Sequence, residues 1–390
     1  MKRFGYLALA AGAVLFAACE DPLAGVSAQA GAQGQLLPLD QAVTPRGIAM
    51  VLSQLPIGAE QIGEVFDAVD ASSGNGYDEE YTMERLFTRP GSGVGDVAAR
   101  ADGPSYERPL RELFSDFFSS ALRTRDGSGS QVEDYINAMI DSGMQIYWPY
   151  SEDWDHRTAP LITFDPGYEA ESNYAYEVHI GADGARVVDS VLVDEAVART
   201  RPVWVINHND DSGFVPLDPY IRSSSGSARA VAAANTHRLV LRDFTMLRQY
   251  DSWFGGASEF VISCGRIKNF KADDDYNTVR FDPNVTSFTI VVKRKQMGQP
   301  LSLDTILMSD LGSDETVAFL ITEDDGGTRT NWKCEMTVKY NSKSYGVEIG
   351  LPLNQRDDIV WRGPLNTAYF RQADVVSDRF GDVKISFALE

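Results

Sequence analysis

The sequence predicts an α+β protein, with an N-terminal helical and mixed α/β region followed by a C-terminal antiparallel β-sandwich. Apolar residues recur at helical spacing between residues 44 and 141, and the pattern changes to short strand-like segments at Gly143. From about residue 238 to 390, short apolar segments alternate with turn clusters, without a convincing helix between them. Seven or so strands at this spacing are typical of a β-sandwich.

Each helix of the first region has its own signal in the sequence. Thr44 followed by Pro45 is a helix start, because proline is tolerated in the first turn. Ser130 and Glu133 fit a capping box that opens a later helix. Further apolar stripes at helical spacing predict helices over 59–69 and 78–87 and from residue 110. Aromatic and methionine residues at this spacing indicate core rather than a cofactor site.

Strands follow the helices and continue to the C-terminus. In the first region they are predicted over 144–150, 160–164, 174–180, 186–193 and 202–206. A polar, serine-rich stretch at 207–235 separates the two parts, so we predict domains over 44–235 and 236–390. In the second domain we predict strands over 238–244, 259–264, 285–293, 316–321, 332–340, 345–351 and 383–389.

The N-terminus has the pattern of an export signal. Lys2 and Arg3 precede an apolar run over 4–18, which is too short for a stable membrane-spanning helix, and Cys19 follows two alanines. This arrangement resembles the signal of bacterial lipoproteins, although Phe16 stands where that family usually has leucine. The resemblance implies a signal peptide over 1–18, lipidation at Cys19 and a flexible lipid-anchored tether over 19–43. An ordinary signal peptide cut near Ala18 is the alternative.

Composition and location restrict the partners. A formal net charge of −21 and a pI of about 4.6 disfavour binding to phosphate backbones, so we expect no nucleic acid partner. The lipid would attach the protein to the membrane, and a protein or glycan partner stays open. The lipoprotein resemblance implies export and anchoring to the bacterial cell envelope. We favour the outer membrane or cell surface over the inner membrane, although Glu20 and Asp21 do not decide between them.

Two cysteines remain besides Cys19, and both lie in predicted strands. Alternation places Cys264 on one face with Phe260, and Cys334 on one face with Met336 and Val338. Both sulfurs should therefore point into a core. In an exported protein they could form a disulfide or remain two buried thiols, and neither should act as a nucleophile.

Acidic loops are the strongest chemical signal in the C-terminal part. A predicted strand ends at Glu323, Asp324 and Asp325, a hairpin follows, and a second acidic pair, Asp357 and Asp358, precedes a short apolar step. This order resembles a C2-like β-sandwich domain. The resemblance implies a calcium site with Asp324, Asp325, Asp357 and Asp358 as ligands, since calcium prefers carboxylate oxygens from loops. The loop 251–256 could oppose this site, and solvated acidic turns are the alternative.

Aromatic residues beside carboxylates form the second candidate site. Trp148, Tyr150 and Trp154 lie near Glu152 and Asp153, and we predict that the three aromatic rings form a binding ledge for a sugar or peptide. The alternative is that they pack the end of a sheet. The sequence has no zinc-protease motif, no phosphate-binding loop and no nucleophile elbow, and its four histidines are scattered.

Two functions therefore remain open. The first is a cell-envelope lipoprotein with a non-catalytic binding or structural role, in which calcium is the one cofactor that the sequence leaves open. The second is a secreted or surface-anchored hydrolase with an accessory sandwich, whose site would lie near 147–155 and 204–211. Convergence of Glu152, Asp153, Asp155, His208 and Asp210 in one cleft would favour the hydrolase.

Overall fold

A computed structural model of the chain describes residues 37–88, 106–123, 129–167, 170–209, 236–273 and 278–390. The predicted signal peptide and Cys19 lie outside these residues. The predicted tether over 19–43 is wrong from residue 37 onwards, because Leu37 packs against the N-terminal core and Ala42 is fully buried within it. The hydroxyl group of Tyr135 also donates to the carbonyl of Leu37 at 2.7 Å.

The helices of the described part follow most of the predicted starts. They are α1 (Leu39–Ala42), α2 (Pro45–Gln54), α3 (Ala59–Gly74), α4 (Met83–Phe87), α5 (Leu110–Arg123), α6 (Gly129–Ile140), α7 (Glu195–Ala198) and α8 (Thr367–Phe370). Thr44 caps α2 as predicted, and its side chain accepts a hydrogen bond from the backbone of Gly47 at 3.0 Å. None of the helices in the described part combines the length and apolar character needed to span a bilayer.

A six-stranded mixed sheet forms the centre of the N-terminal region. Its strands are β1 (Glu80–Thr82), β2 (Met144–Tyr147), β3 (Leu161–Phe164), β4 (Ser172–Ile180), β5 (Arg186–Asp194) and β6 (Val203–His208). They lie in the order β1-β2-β6-β3-β4-β5, with β3 and β6 parallel and the other neighbours antiparallel. The helix predicted over 78–87 is wrong in its first half, because residues 80–82 pair with β2 instead.

The two faces of this sheet pack against different parts of the chain. Trp204 and Ile206 lie on one face, and they pack in a core with helices α2 and α3. Val203 and Val205 lie on the other face, as the two-residue period of a strand requires. This second face is covered by α7 and by Trp253 and Phe254, which belong to the chain segment between the first two strands of the sandwich.

The C-terminal part is an antiparallel β-sandwich. Its strands are β7 (His237–Met246), β8 (Ser258–Ala272), β9 (Val279–Val292), β10 (Leu301–Leu311), β11 (Thr316–Glu323), β12 (Arg329–Tyr340), β13 (Lys343–Asn354), β14 (Asp358–Asn366), β15 (Val376–Phe380) and β16 (Val383–Leu389). One sheet has the order β10-β7-β16-β15 and the other β14-β11-β8-β9. The hairpin β12–β13 packs on the outer face of the second sheet. The strands β10, β14 and β15 and the helix α8 have no counterpart among the predicted elements.

The cysteines are buried, as predicted, but they do not form a disulfide. Both are free thiols, and they lie on opposite faces of the sheet that contains β8 and β11. Cys264 points into the core between the two sheets, whereas Cys334 belongs to the small core under the hairpin β12–β13. Of the two alternatives that the sequence left open, the structure therefore has the pair of buried thiols, because the sheet itself separates the two sulfur atoms.

Candidate metal site at the domain junction

One loop of the sandwich enters the N-terminal region. Residues 247–257, here called the junction loop, connect β7 to β8. Within it, the side chain of Trp253 is 3% exposed, and its indole nitrogen donates to the carbonyl of Glu171 at 2.9 Å. The buried amide of Asn207 on β6 donates to the carbonyls of Phe254 and Gly255 at 3.0 and 2.5 Å. The junction loop thereby joins the two regions through both apolar and hydrogen-bonded contacts.

Three consecutive cationic residues after β9 add charge to this junction. Arg294 is buried, and its Nε donates to a carboxylate oxygen of Glu195 at 2.9 Å. Its Nη1 also donates to three backbone carbonyls of the junction loop. Lys295 pairs with Asp153 at 2.7 Å, and Lys293 bonds to Ser73 on α3. All three cations therefore connect the sandwich to the N-terminal region.

Three carboxylates meet at the base of the junction loop. One ligand oxygen from each of Asp251, Glu259 and Glu323 lies within 4.8 Å of the others, a spacing suited to a single metal ion. The side chains of Glu259 and Glu323 are 3% and 1% exposed, respectively. They come from the first residues of β8 and the last residue of β11, which are adjacent strands. We call this group the carboxylate cluster.

The carboxylate cluster has an electrostatic feature that bears on what it could bind. Burial raises the pKa of Asp251, and the carboxyl groups of Asp251 and Glu323 share a hydrogen bond. A hydrogen bond between two carboxyl groups needs a proton on one of them. Oxygen-rich sites of this kind suit hard cations such as calcium, which would take the place of that proton.

The four predicted calcium ligands do not belong to the carboxylate cluster. Asp324 accepts hydrogen bonds from Gly326 and Asn354, and Asp357 accepts one from the backbone of Asn354, so both carboxylates hold turns. Asp358 is the first residue of β14 rather than a loop residue. The grouping that the structure shows is that of Asp251, Glu259 and Glu323 instead, and the predicted set of four ligands stays a prediction.

These acidic loops nevertheless lie beside the carboxylate cluster. Burial raises the pKa of Asp325 to about 6, and the charges of Asp251 and Asp358 add to this effect. The loop 251–256 was expected to oppose the acidic loops, and it contributes Asp251. The two glutamates were missed, although Val317, Phe319, Ile321 and Glu323 alternate along β11. That period places Glu323 on the core face of β11. A charged residue at a core-facing position is the signal by which the sequence could have pointed to this site.

The aromatic residues of the predicted ledge are mostly buried and do not form an exposed binding surface. Trp148 is 1% exposed and packs against Trp204 in the N-terminal core, with their ring centroids 5.9 Å apart. Tyr150 is also buried, and its hydroxyl donates to Glu195 at 2.6 Å. Trp154 is half-buried and packs against Phe66 in a tilted arrangement, with their ring centroids 5.3 Å apart. The ledge prediction is wrong for Trp148 and Tyr150, whose rings pack the end of the sheet.

Among the described residues, the carboxylates proposed for a hydrolase do not line a common cleft. Asp153 is paired with Lys295, and Asp155 accepts hydrogen bonds from Arg157 and Thr158 that close a turn. His208 is exposed, and Asp210 lies outside the described residues. Two clefts of about 420 and 430 Å³ flank the domain junction, and none of these described residues lines either cleft.

Comparison of the sequence with models of protein families and with curated proteins gave no match.

Proposed function

We propose that this chain is an exported, lipid-anchored protein of the bacterial cell envelope with a non-catalytic binding or structural role, and that calcium stabilises its C-terminal sandwich. The N-terminal signal pattern and Cys19 support the location. The calcium part depends on one observation, namely the grouping of Asp251, Glu259 and Glu323 within 4.8 Å at the domain junction.

The charge balance of the cluster supports a cation. Calcium binds oxygen ligands at about 2.3–2.6 Å, so carboxylate oxygens on opposite sides of one ion are about 5 Å apart. Bringing three carboxylates together in a buried site is costly when they are ionised, and a divalent ion offsets that cost. Because Asp251 belongs to the junction loop, the ion would also hold that loop against β8 and β11.

The first experiment tests the anchor. Mass spectrometry of the protein from a bacterial membrane fraction should find Cys19 as the first residue, carrying the mass of a lipid. The variant Cys19→Ala should stay unprocessed and lose the lipid. An unlipidated N-terminus near Ala18 in the unaltered protein would contradict the anchor.

The second experiment compares the effect of Glu323→Gln on stability with chelator and with calcium. With a chelator present, Glu323→Gln should be at least as stable as the unaltered protein, because it removes a buried charge. With calcium in hundredfold excess over the Kd, the unaltered protein should gain about 2.7 kcal/mol of unfolding free energy, whereas Glu323→Gln should gain almost none.

Glu335→Gln is the matched control, since Glu335 is exposed on β12. It should respond to calcium as the unaltered protein does. Identical thermal melts of the unaltered protein with calcium and with chelator would refute the calcium site.

A further inference from the structure

The strand β5 forms one edge of the six-stranded sheet. It is the last strand in the order β1-β2-β6-β3-β4-β5, and within the described part of the chain no strand pairs with its outer side. Its nine residues contain no proline, and they pair with β4 without a bulge. Edge strands are commonly protected by such interruptions, because a regular free edge pairs readily with another strand. The outer side of β5 is therefore open to a partner strand.

The hydrogen-bond pattern of the hairpin β4–β5 shows which residues face this free edge. One step beyond the pairing of Ile180 with Arg186, the backbone nitrogen of Gly181 donates to the carbonyl of Ala185 at 2.7 Å. Hydrogen-bonded pairs alternate with non-hydrogen-bonded pairs, so the odd-numbered residues of β5 bond to β4. The even-numbered residues from Arg186 to Leu192 therefore direct their backbone groups towards the free edge.

The sequence of this edge is complementary to a second copy of itself. Two antiparallel copies related by a two-fold axis at Ser190 place outward-facing residues opposite outward-facing residues, as a ladder requires. In that register Arg186 of one copy lies opposite Asp194 of the other, and this ion pair occurs at both ends. Leu192 of one copy lies opposite Val188 of the other. Opposite charges and apolar side chains at directly opposite positions both stabilise a strand pair.

The neighbouring registers lack this match. An axis at Asp189 would place the two copies of that carboxylate opposite each other, which is destabilising. An axis at Val191 would leave Arg186 opposite no residue of β5, and axes farther from the centre of the strand shorten the ladder. The charge pattern of β5 therefore selects the axis at Ser190.

Two side chains of this edge lack suitable surroundings in the single chain. Leu192 is a large apolar residue, yet it is 57% exposed. Arg186 is half-buried, and its guanidinium donates to the carbonyl of Ser53 at 2.5 Å. Burial lowers the pKa of Arg186, and no carboxylate of the described residues counteracts that effect. A second copy in this register would cover the leucine and bring the exposed Asp194 to the arginine.

We propose that β5 is a dimerisation edge, to which a second copy of this chain adds its own β5 antiparallel about an axis at Ser190. The two six-stranded sheets then continue into each other across the axis. This interface goes beyond the proposed function, because it needs neither the lipid nor calcium.

Disulfide cross-linking of the full chain in bacterial cells tests the axis. Ser190 is exposed, and in the proposed pair its two copies have Cα atoms about 5.5 Å apart, which is within reach of a disulfide. With a mild oxidant such as diamide, Ser190→Cys should give a cross-linked dimer beyond any that the unaltered protein forms.

Leu192→Cys is the matched control, because Leu192 is exposed and lies on the same face of β5 as Ser190. Its two copies would lie four residues apart along the strands, which is about 13 Å, and a disulfide cannot bridge that distance. Leu192→Cys should therefore form the dimer at least about tenfold more slowly than Ser190→Cys.

A charge exchange in the Ser190→Cys protein tests the register. Adding Arg186→Asp places two carboxylates opposite each other at both ends of the pair, and it should slow cross-linking about tenfold. Adding Asp194→Arg instead places two guanidinium groups opposite each other and should slow it to a similar extent. Adding both changes restores opposite charges, and the rate should return to within about threefold of that of Ser190→Cys alone.

Every outcome bears on the dimer. Equal rates for Ser190→Cys and Leu192→Cys overturn it, as does a Ser190→Cys protein that forms no cross-linked dimer. Cross-linking of Ser190→Cys to a different protein would show another occupant of the edge and would also overturn it. A folded protein with both charge changes that stays slow overturns the register. If a charge variant does not fold, the two cysteine variants decide alone, since both replace exposed residues.

Discussion

At the scale of single residues, burial determines the chemistry of the thiols. Cys264 is fully enclosed in the sandwich core, and this burial raises the pKa of its thiol to about 12. The thiolate, which is the reactive form, is therefore disfavoured. Alternation along the strands correctly predicted that both cysteines are buried. It could not predict that Cys334 lies beyond the intervening sheet, because that depends on where the hairpin β12–β13 folds.

The thiols give a direct prediction. Adding a reducing agent should leave the thermal midpoint of the protein unchanged, because no disulfide links Cys264 to Cys334. A thiol reagent should label both residues only after unfolding. A lower midpoint under reducing conditions would contradict the free thiols.

A buried ion pair at the junction gives a second prediction. Although burial would raise the pKa of Glu195, hydrogen bonds from Arg294 and Tyr150 outweigh it and lower the pKa to about 2. The stabilisation that the ionised carboxylate of Glu195 contributes is present above the pKa of this group in the unfolded chain, and it is lost as pH falls towards 2. Glu195→Gln should therefore cost about 3 kcal/mol at neutral pH, because Arg294 loses its charged partner. The cost should vanish near pH 2 in urea titrations, and an equal cost at both pH values would contradict this account.

At the scale of elements, the junction loop connects two cores. Its aromatic pair covers the face of the six-stranded sheet that the N-terminal helices leave open. Some missed elements have a clear physical reason. The strand β14 contains Pro364, which argues against a central strand, but β14 is an edge of its sheet and tolerates proline there. The strand β1 has only three residues, too few for a periodic signal, and is defined by its pairing with β2.

The junction loop gives a third prediction. Trp253→Ala should reduce the free energy of unfolding by about 3–5 kcal/mol, because it leaves a cavity and removes the bond to Glu171. Hydrogen exchange should increase along β3 and β6, where the ring packs. Trp332→Ala, in the outer hairpin, is the control and should leave exchange in those strands unchanged. Equal effects of the two variants on β3 and β6 would contradict the proposed packing.

At the scale of the whole molecule, acidic groups with raised pKa values lie at several depths, since Asp78 is buried, Asp357 is half-buried and Asp325 is exposed. Besides the carboxylate cluster, desolvation raises the pKa of Asp78, Asp325 and Asp357 to about 6 each. Each of these groups binds its proton more tightly in the folded state than in the unfolded state. The free energy of unfolding should therefore fall as pH rises from about 4 to 6. The pKa of Glu195 is lowered instead, so below pH 4 its contribution makes the free energy of unfolding rise with pH.

The resulting pH profile is a fourth prediction. In the presence of chelator, the urea midpoint should rise from about pH 2 to a maximum near pH 4–5 and then fall towards neutral pH. Calcium should reduce the fall above pH 5, because the metal replaces protons on carboxylates at the domain junction. A maximum at pH 7 or above without calcium would contradict the contribution of these carboxyl groups.

The sequence by itself determined the α+β class, the succession from helices to a β-sandwich, and the burial of Cys264 and Cys334. These properties follow from local periodicity, because each segment shows in its own residues which face it buries. Only the tertiary structure decided that Asp251, Glu259 and Glu323 meet, while Asp324 and Asp357 hold turns. Such contacts join residues far apart in the chain, and their positions depend on strand register and on how the junction loop docks.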